Sequence, residues 1–376
     1  MSKLTQQSAV TEAKRLIIKI GSSLLINADG SLRRDWLHAL AADVAALHAE
    51  GKQVILVSSG AIALGRDALG FKKRPTRLEE AQAAAAVGQI LLAQAYQSLF
   101  DDHGIIIAQL LLTLDDLEAR PRYLNARSTV NELLERGAIP VINENDTVAT
   151  SEIRFGDNDR LAARVAQMAG ADTLVLLSDI DGLHNSDPRT DPKAQLVPHI
   201  EAITPRIEAM AGPPAQQGVG SGGMVTKIGA AKIALAGGTS MIIMNGTAAN
   251  PVCRLLDGEP CTLFQASVTP LAVRKRWIQG LMVPKGSLHI DAGAVAALKR
   301  DASLLSAGVV RTEGEFTRGD LVSLVAPEGG LVGQGLVSYS SADAVKLQGC
   351  DMREAEQILG YVGRSALIHR DDLVLL

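Results

Sequence analysis

The sequence predicts an α/β protein, a three-layer αβα sandwich built on a mostly parallel sheet, followed by a small β-rich domain. Three observations carry that expectation. Strand-like and helix-like runs alternate through the first 265 residues, the pattern of βαβ units. The strand-like runs are apolar nearly throughout instead of alternating, which places them in a sheet covered on both faces. After about residue 280 the helical period gives way to short runs punctuated by glycine.

The elements follow in order. Arg15–Ile20 is a β-branched run that stops at Gly21, and a helix over Asp35–Glu50 ends where Gly51 supplies a C-cap. Gln53–Ser58 is the second strand and closes on Ser58-Ser-Gly60. An Ala-rich helix covers about Leu78–Leu99. Gly104–Leu110 reads as a buried strand, followed by helix to Arg136 and a strand over Ala138–Asn143. Asp157–Ala169 is helical, Asp172–Leu177 a strand, Met224–Ala236 a helix and Thr239–Met244 a strand. In the tail, Gly308–Arg311, Gly319–Val325, Gly330–Gly335 and Leu373–Leu376 read as short strands. These textures divide the chain into a first domain over 14–265, a join over 266–280 and a terminal domain over 281–376. The Pro/Gly-rich stretch Gly212–Gly223 falls inside the first domain as a loop, not as a linker.

Composition narrows the function. With 37 Lys and Arg against 41 Asp and Glu, the chain carries a formal charge of −4, opposite in sign to a bulk nucleic-acid binder. Aromatic residues make up 3 per cent, too few for a base-stacking surface. Three cysteines without a C-x-x-C pair fit a reducing compartment. Seven scattered histidines give no H-E-x-x-H, so no metal cage is written in local spacing. Residues Met1–Arg15 are polar, and the apolar run Leu16–Ile26 is broken by Lys19, unlike a signal peptide or a membrane span. A soluble cytoplasmic protein is expected.

Ligands of such sheets sit at the carboxyl ends of the strands. Gly21-Ser-Ser, Ser58-Ser-Gly, Asn143-Glu-Asn-Asp and Ser178-Asp fall at those ends, so the site is expected along that edge. Gly218–Gly223 formally matches G-x-G-x-x-G, but the dinucleotide fingerprint needs a strand before it, and Gly212-Pro-Pro-Ala-Gln-Gln217 is no strand. Ser221-Gly-Gly-Met-Val-Thr-Lys227 leads into a helix with a lysine in its first turn. Free N–H groups at a helix start beside a lysine suit a phosphate, and a solvated surface loop is the plainer alternative. Lys19 ends an otherwise apolar strand, where a charge is costly unless it meets an anion or reaches solvent. Two lysines from distant parts of the chain, each beside a glycine turn, suggest a bound polyphosphate. Asn143–Asp146 and Asp157–Asp159 add more carboxylates and carboxamides than helix capping needs. That cluster suits an ammonium group or a metal–phosphate.

Six motifs then occur in order: Ile18-Lys-Ile-Gly-Ser-Ser23, Val57-Ser-Ser-Gly-Ala-Ile62, Val141-Ile-Asn-Glu-Asn-Asp146, Phe155-Gly-Asp-Asn-Asp159, Leu177-Ser-Asp-Ile-Asp-Gly-Leu183 and Gly220-Ser-Gly-Gly-Met-Val-Thr-Lys227. The set resembles the amino-acid kinase superfamily, and within it the bacterial members that phosphorylate the side-chain carboxylate of L-glutamate. The tail, entered by Arg274-Lys-Arg-Trp-Ile278, resembles a PUA domain. The resemblance covers essentially the whole chain. It implies ATP and Mg²⁺ as phosphoryl donor and metal, with the metal held by nucleotide phosphates and water. It implies that Lys19 and Lys227 contact phosphate and are catalytic, with Asp159 orienting them. Ser59, Asp146 and Asn158 match the glutamate-binding positions, and Asp146 or Asp157 would meet the substrate ammonium. Ser178, Asp179 and the loop Ser221, Gly222, Gly223, Met224, Val225, Thr226 and Lys227 match the nucleotide-binding positions. Gly21, Gly60 and Gly156 would allow close backbone approach. Arg154 and Arg160 read as surface groups before substrate clamps. The resemblance also implies a homo-oligomer, dimer or tetramer, and a glutamyl phosphate reductase that collects the product. Two other readings stand beside it: a sister kinase with another acceptor, and RNA binding through the tail. Residues 281–376 hold nine Lys and Arg against twelve Asp and Glu, a sign that speaks against RNA.

Overall fold

The computed structural model describes residues 5–73, 75, 77–148, 158–212, 223–280, 283–361 and 364–376. The chain forms two compact units, Met1–Pro270 and Leu271–Leu376.

The first unit is a sheet of eight strands between helical layers. The strands are β1 (Arg15–Ile20), β2 (Gln53–Val57), β3 (Ile107–Leu112), β4 (Ile139–Glu144), β5 (Thr173–Ser178), β6 (His199–Ile200), β7 (Ser240–Asn245) and β8 (Cys261–Phe264). Their order is β3-β4-β2-β1-β5-β7-β8-β6. Six are parallel from β3 to β7, and β8 pairs antiparallel with β7. β1 is central: the chain builds β2, β4 and β3 on one side of it, then crosses to β5 on the other. Such a switch of direction opens a crevice at the carboxyl ends of the strands.

Strand period sorts β1 between two cores. Leu16, Ile18 and Ile20 pack with Trp36, Leu40 and Val44 of helix Arg34–Ala49. Ile17 faces the other way, onto Leu161 and Val165 of helix Asn158–Ala169 and Ala230 and Ala234 of helix Met224–Ala236. Lys19 shares the parity of Ile17. The same alternation that buries Ile17 therefore sends Lys19 toward the first turns of those two helices.

Several sequence expectations shift. The strand expected as buried over Gly104–Leu110 lies at Ile107–Leu112 and is an edge strand, with Gln109 exposed. It pairs with β4 on one side and has no strand on the other, and most of its residues are half-buried. The single helix expected up to Arg136 is two, Leu114–Glu118 and Arg120–Glu135. The break is Ala119, extended with ψ 110, and Pro121 stands in the first turn of the second helix, where no intrahelical hydrogen bond is lost. Thr113 and Asp116 form a capping box at the start of the first. The outer strands β6 and β8 were not expected, being two and four residues long; the short helix Pro251–Leu256 that precedes β8 was not expected either.

The second unit holds a five-stranded sheet of β9 (Gly286–Ile290), β10 (Val309–Gly314), β11 (Leu321–Val325), β12 (Leu331–Leu336) and β13 (Leu373–Leu375), ordered β10-β9-β11-β12-β13. β9 was missed, and so were the helices Ala292–Leu298 and Ser341–Leu347. Residues 266–280 contain the helix Pro270–Gly280. In it, Ile278 packs against Leu321, Leu336 and Val374, and Arg274 Nε donates to Asp372 Oδ1 at 2.6 Å. Among the described residues no helix is long and apolar enough to cross a membrane.

Candidate active site

Three charged side chains from distant segments meet at the sheet edge. Lys19 leaves the end of β1, Asp159 the first turn of helix Asn158–Ala169, and Lys227 the first turn of helix Met224–Ala236. Lys19 Nζ lies 2.6 Å from Asp159 Oδ1, and Lys227 Nζ 2.9 Å from Asp159 Oδ2. All three are buried, Asp159 to 2 per cent exposure. Burial alone would raise the Asp159 carboxyl, but the charges of Lys19 and Lys227 outweigh it and hold the group at about 2. One carboxylate thus keeps two ammonium groups together, each against a different oxygen.

One side of the cluster is built from the ends of β2 and β4. Asn158 Nδ2 lies 2.6 Å from the Ser58 carbonyl, 3.0 Å from Ser59 Oγ and 2.9 Å from Asn143 Oδ1. Asn143 Oδ1 also accepts the Glu144 N–H at 2.9 Å. The Asn158 amide is therefore a pin between two strand ends, and Asn143 is its second anchor. Gly60 follows Ser59 with φ +89 and starts helix Ala61–Ala68, a conformation that favours glycine. Asp146 stands just beyond β4, where burial pushes its carboxyl up to about 6. A carboxylate in that condition gains most from a cation brought by a ligand.

The opposite side is built from the ends of β5 and the start of helix Met224–Ala236. Ser178 Oγ donates to Asp179 Oδ1 at 3.1 Å; Ser178 is buried and Asp179 exposed. Gly21 N–H donates to the Leu177 carbonyl at 3.3 Å and ties the ends of β1 and β5. Gly223 is the N-cap of that helix and makes no side-chain hydrogen bond to its first turn, Met224, Val225 and Thr226. Thr226 Oγ1 donates back to the Gly223 carbonyl at 2.8 Å, which fixes that first turn.

The sequence-predicted residues Lys19, Ser59, Asp146, Asn158, Asp159, Ser178, Asp179, Gly223, Met224, Val225, Thr226 and Lys227 all stand at strand ends or helix starts along this edge. Asp157, Ser221 and Gly222 lie outside the described residues, as do Arg154 and Gly156. Arg160 is exposed. Sequence reasoning missed Asn143 as the anchor of Asn158, and missed Ser58 and Tyr96, whose hydroxyls meet behind the site at 3.0 Å. The available signal was polarity in apolar context: Gln89 and Tyr96 stand seven residues apart, on one face of an Ala-rich helix.

The chain matches the Amino acid kinase family over residues 14–245 and the PUA domain over residues 286–359. It is 55% identical over 363 residues to a glutamate 5-kinase of Nitrobacter hamburgensis, covering 96% of each chain. A glutamate 5-kinase of Paramagnetospirillum magneticum is 56% identical over 369 residues, 98% of this chain and 99% of that one. One from Bradyrhizobium diazoefficiens is 53% identical over 367 residues, 97% and 98% of the two chains. The chain belongs to the amino acid kinase family, in the group formed by these relatives, and carries a C-terminal PUA domain.

Proposed function

We propose that this kinase transfers the γ-phosphoryl group of ATP to the side-chain carboxylate of L-glutamate, giving L-glutamyl 5-phosphate and ADP. The convergence of Lys19 and Lys227 on Asp159 carries the reading. One carboxylate oxygen of glutamate forms a bond to the γ-phosphorus while the bond from that phosphorus to the β,γ-bridging oxygen breaks. The nucleophile has no proton to lose at neutral pH, so a general base is not required. The difficulty is negative charge approaching negative charge, and in phosphoryl transfer positioning and electrostatic stabilisation supply most of the catalysis. Lys19 and Lys227 face the transferring oxygens, and Asp159 sets their positions without competing for the nucleophile's place. Asp146 receives the substrate ammonium, Ser59 and the main chain held by Asn158 shape the acceptor seat, and Ser178, Asp179 and the turn Gly223–Lys227 hold the nucleotide.

Among the described residues no group of three or more His, Cys, Asp or Glu side chains is arranged to hold a metal ion. The donor set fits a Mg²⁺ that arrives on the nucleotide phosphates and keeps water ligands. When bound it would neutralise phosphate charge alongside the lysines. The product is a mixed anhydride, reactive toward water, which fits prompt use by a reductase. Homo-oligomeric assembly and a cytoplasmic setting complete the reading and rest on the resemblance alone.

The test is incubation with MgATP, L-glutamate and hydroxylamine. The expected result is γ-glutamyl hydroxamate alongside ADP, each requiring both substrates. ADP without hydroxamate would move the reading to a sister kinase with another acceptor.

A further inference from the structure

We infer that Tyr96 is a positioning residue for the acceptor side of the site, acting through Ser58; the inference rests on the carboxylate-kinase reading above. Tyr96 belongs to helix Leu78–Asp101 and is fully buried, as is Ser58 at the end of β2. Phenylalanine would fill the same space, so packing does not account for the hydroxyl. A buried hydroxyl needs a partner, and that of Tyr96 meets Ser58 Oγ at 3.0 Å.

The direction of that bond follows from what each group can reach. Ser58 Oγ lies 3.4 Å from the Ser59 carbonyl, an acceptor. Ser58 therefore donates forward to Ser59, and its lone pair receives the Tyr96 proton. Burial raises the Tyr96 phenol, which keeps it a donor across the working pH range. Residue 58 is also held by its main chain: its N–H donates to the Ile142 carbonyl at 2.9 Å and its carbonyl accepts from Asn158 at 2.6 Å. Tyr96 supplies the hold on its side chain, and the next two residues are Ser59 and the positive-φ Gly60.

The same helix braces the neighbouring parts. Gln89 donates to the Glu144 carbonyl at the end of β4 at 3.4 Å and accepts from Gln109 at 3.1 Å. Its Gly88 lies so close to helix Ala61–Ala68 that a Cβ there would stand 1.7 Å from the Ala61 carbonyl oxygen. The helix that starts at Gly60 is thus locked to the helix that carries Tyr96. The space between Ser58, Gln89, Tyr96, Gln109 and Asn143 is a cavity of about 10 Å³. That is room for at most a water, so these groups act on the strand ends and not on a ligand of their own.

The test compares Tyr96→Phe, Ser58→Ala and the double variant with the unaltered protein in the hydroxamate assay, with melting temperature alongside. Tyr96→Phe is expected to raise KM for glutamate about three- to tenfold, with KM for ATP and kcat within about twofold. Ser58→Ala removes the same bond from the other end, and the double variant adds little to either single change. An unchanged glutamate KM in folded Tyr96→Phe, equal rises in both KM values, or additive single effects would each overturn the assignment. If Tyr96→Phe does not fold, Ser58→Ala is judged by the same KM split. Absence of glutamate-dependent turnover in the unaltered protein sinks the carboxylate-kinase reading and this assignment with it. Turnover there with no KM split in the variants sinks the assignment alone.

Discussion

The two units treat buried polarity differently. In the first, Lys19, Asp159 and Lys227 are buried together, and Lys227 is 68 residues from the carboxylate it meets. In the second, the buried polar side chains among the described residues are Ser306 and Asp320. Asp320 is served locally, by Thr317 N–H at 2.8 Å and Thr317 Oγ1 at 2.9 Å, with Lys285 at 3.1 Å. A turn that satisfies its own carboxylate is a folding device. Charges drawn from three separate segments to one point are expensive to bury, and three separate backbones must be held in place to do it. The comparison sets a cluster that needs three held backbones in the first unit against a self-served turn in the second.

Breaking the charge cluster should have the largest effect. Asp159→Ala leaves two buried ammonium groups without their shared carboxylate and should destabilise the first unit by roughly 3–5 kcal/mol, read by denaturant unfolding, with activity lost as well. Lys227→Ala keeps the Lys19–Asp159 pair, so the fold should hold while kcat falls by about two to three orders of magnitude. An unchanged kcat there would make the glycine turn structural only. Asp146→Ala should raise KM for glutamate about 10- to 100-fold and leave that for ATP close to its starting value; equal rises would remove Asp146 from the ammonium seat.

Acid separates the two carboxylates of the site. Asp146, raised to about 6, loses its charge as pH falls through about 6. KM for glutamate should therefore climb below that pH, by up to about tenfold per unit. Its raised value also means that Asp146 weakens the fold above about pH 6 and stops doing so as it protonates. Asp159, held at about 2, supports the fold above the ordinary carboxylate range and gives up that support only as pH falls toward 2. Between pH 5 and 6 the acceptor affinity should fall while the melting temperature holds or rises. A parallel loss of both would contradict a raised Asp146 carboxyl, since its protonation relieves the fold. The smallest effect is expected in the second unit: Asp320→Ala should lower its stability by about 1 kcal/mol and leave kcat and both KM values unchanged.

How much was legible in the sequence depended on the range of the interaction. β1 and helix Met224–Ala236 were readable to the residue, because period and terminal glycines are local signals. Lys19 stood out since a charge interrupts an apolar run, and Lys227 since it follows a glycine turn. β6 and β8 were invisible because two to four residues carry too little period. The edge position of β3 was unreadable because an apolar run does not say how many neighbours it has. Asn143 and Ser58 were placed at the edge without a role of their own and Tyr96 was passed over, since each becomes informative only beside its partner.

The sequence by itself determined the class of fold, the edge along which the candidate site residues gather and most of those residues, because these depend on spacing along one chain. The tertiary structure decided that a single carboxylate holds both lysines, that Asn158 pins two strand ends, and that a tyrosine on a separate helix reaches Ser58. Hydrogen bonds and ion pairs act over about 3 Å, and the groups that make these lie up to a hundred or more residues apart. Only the packed sheet and its helices bring them within that reach.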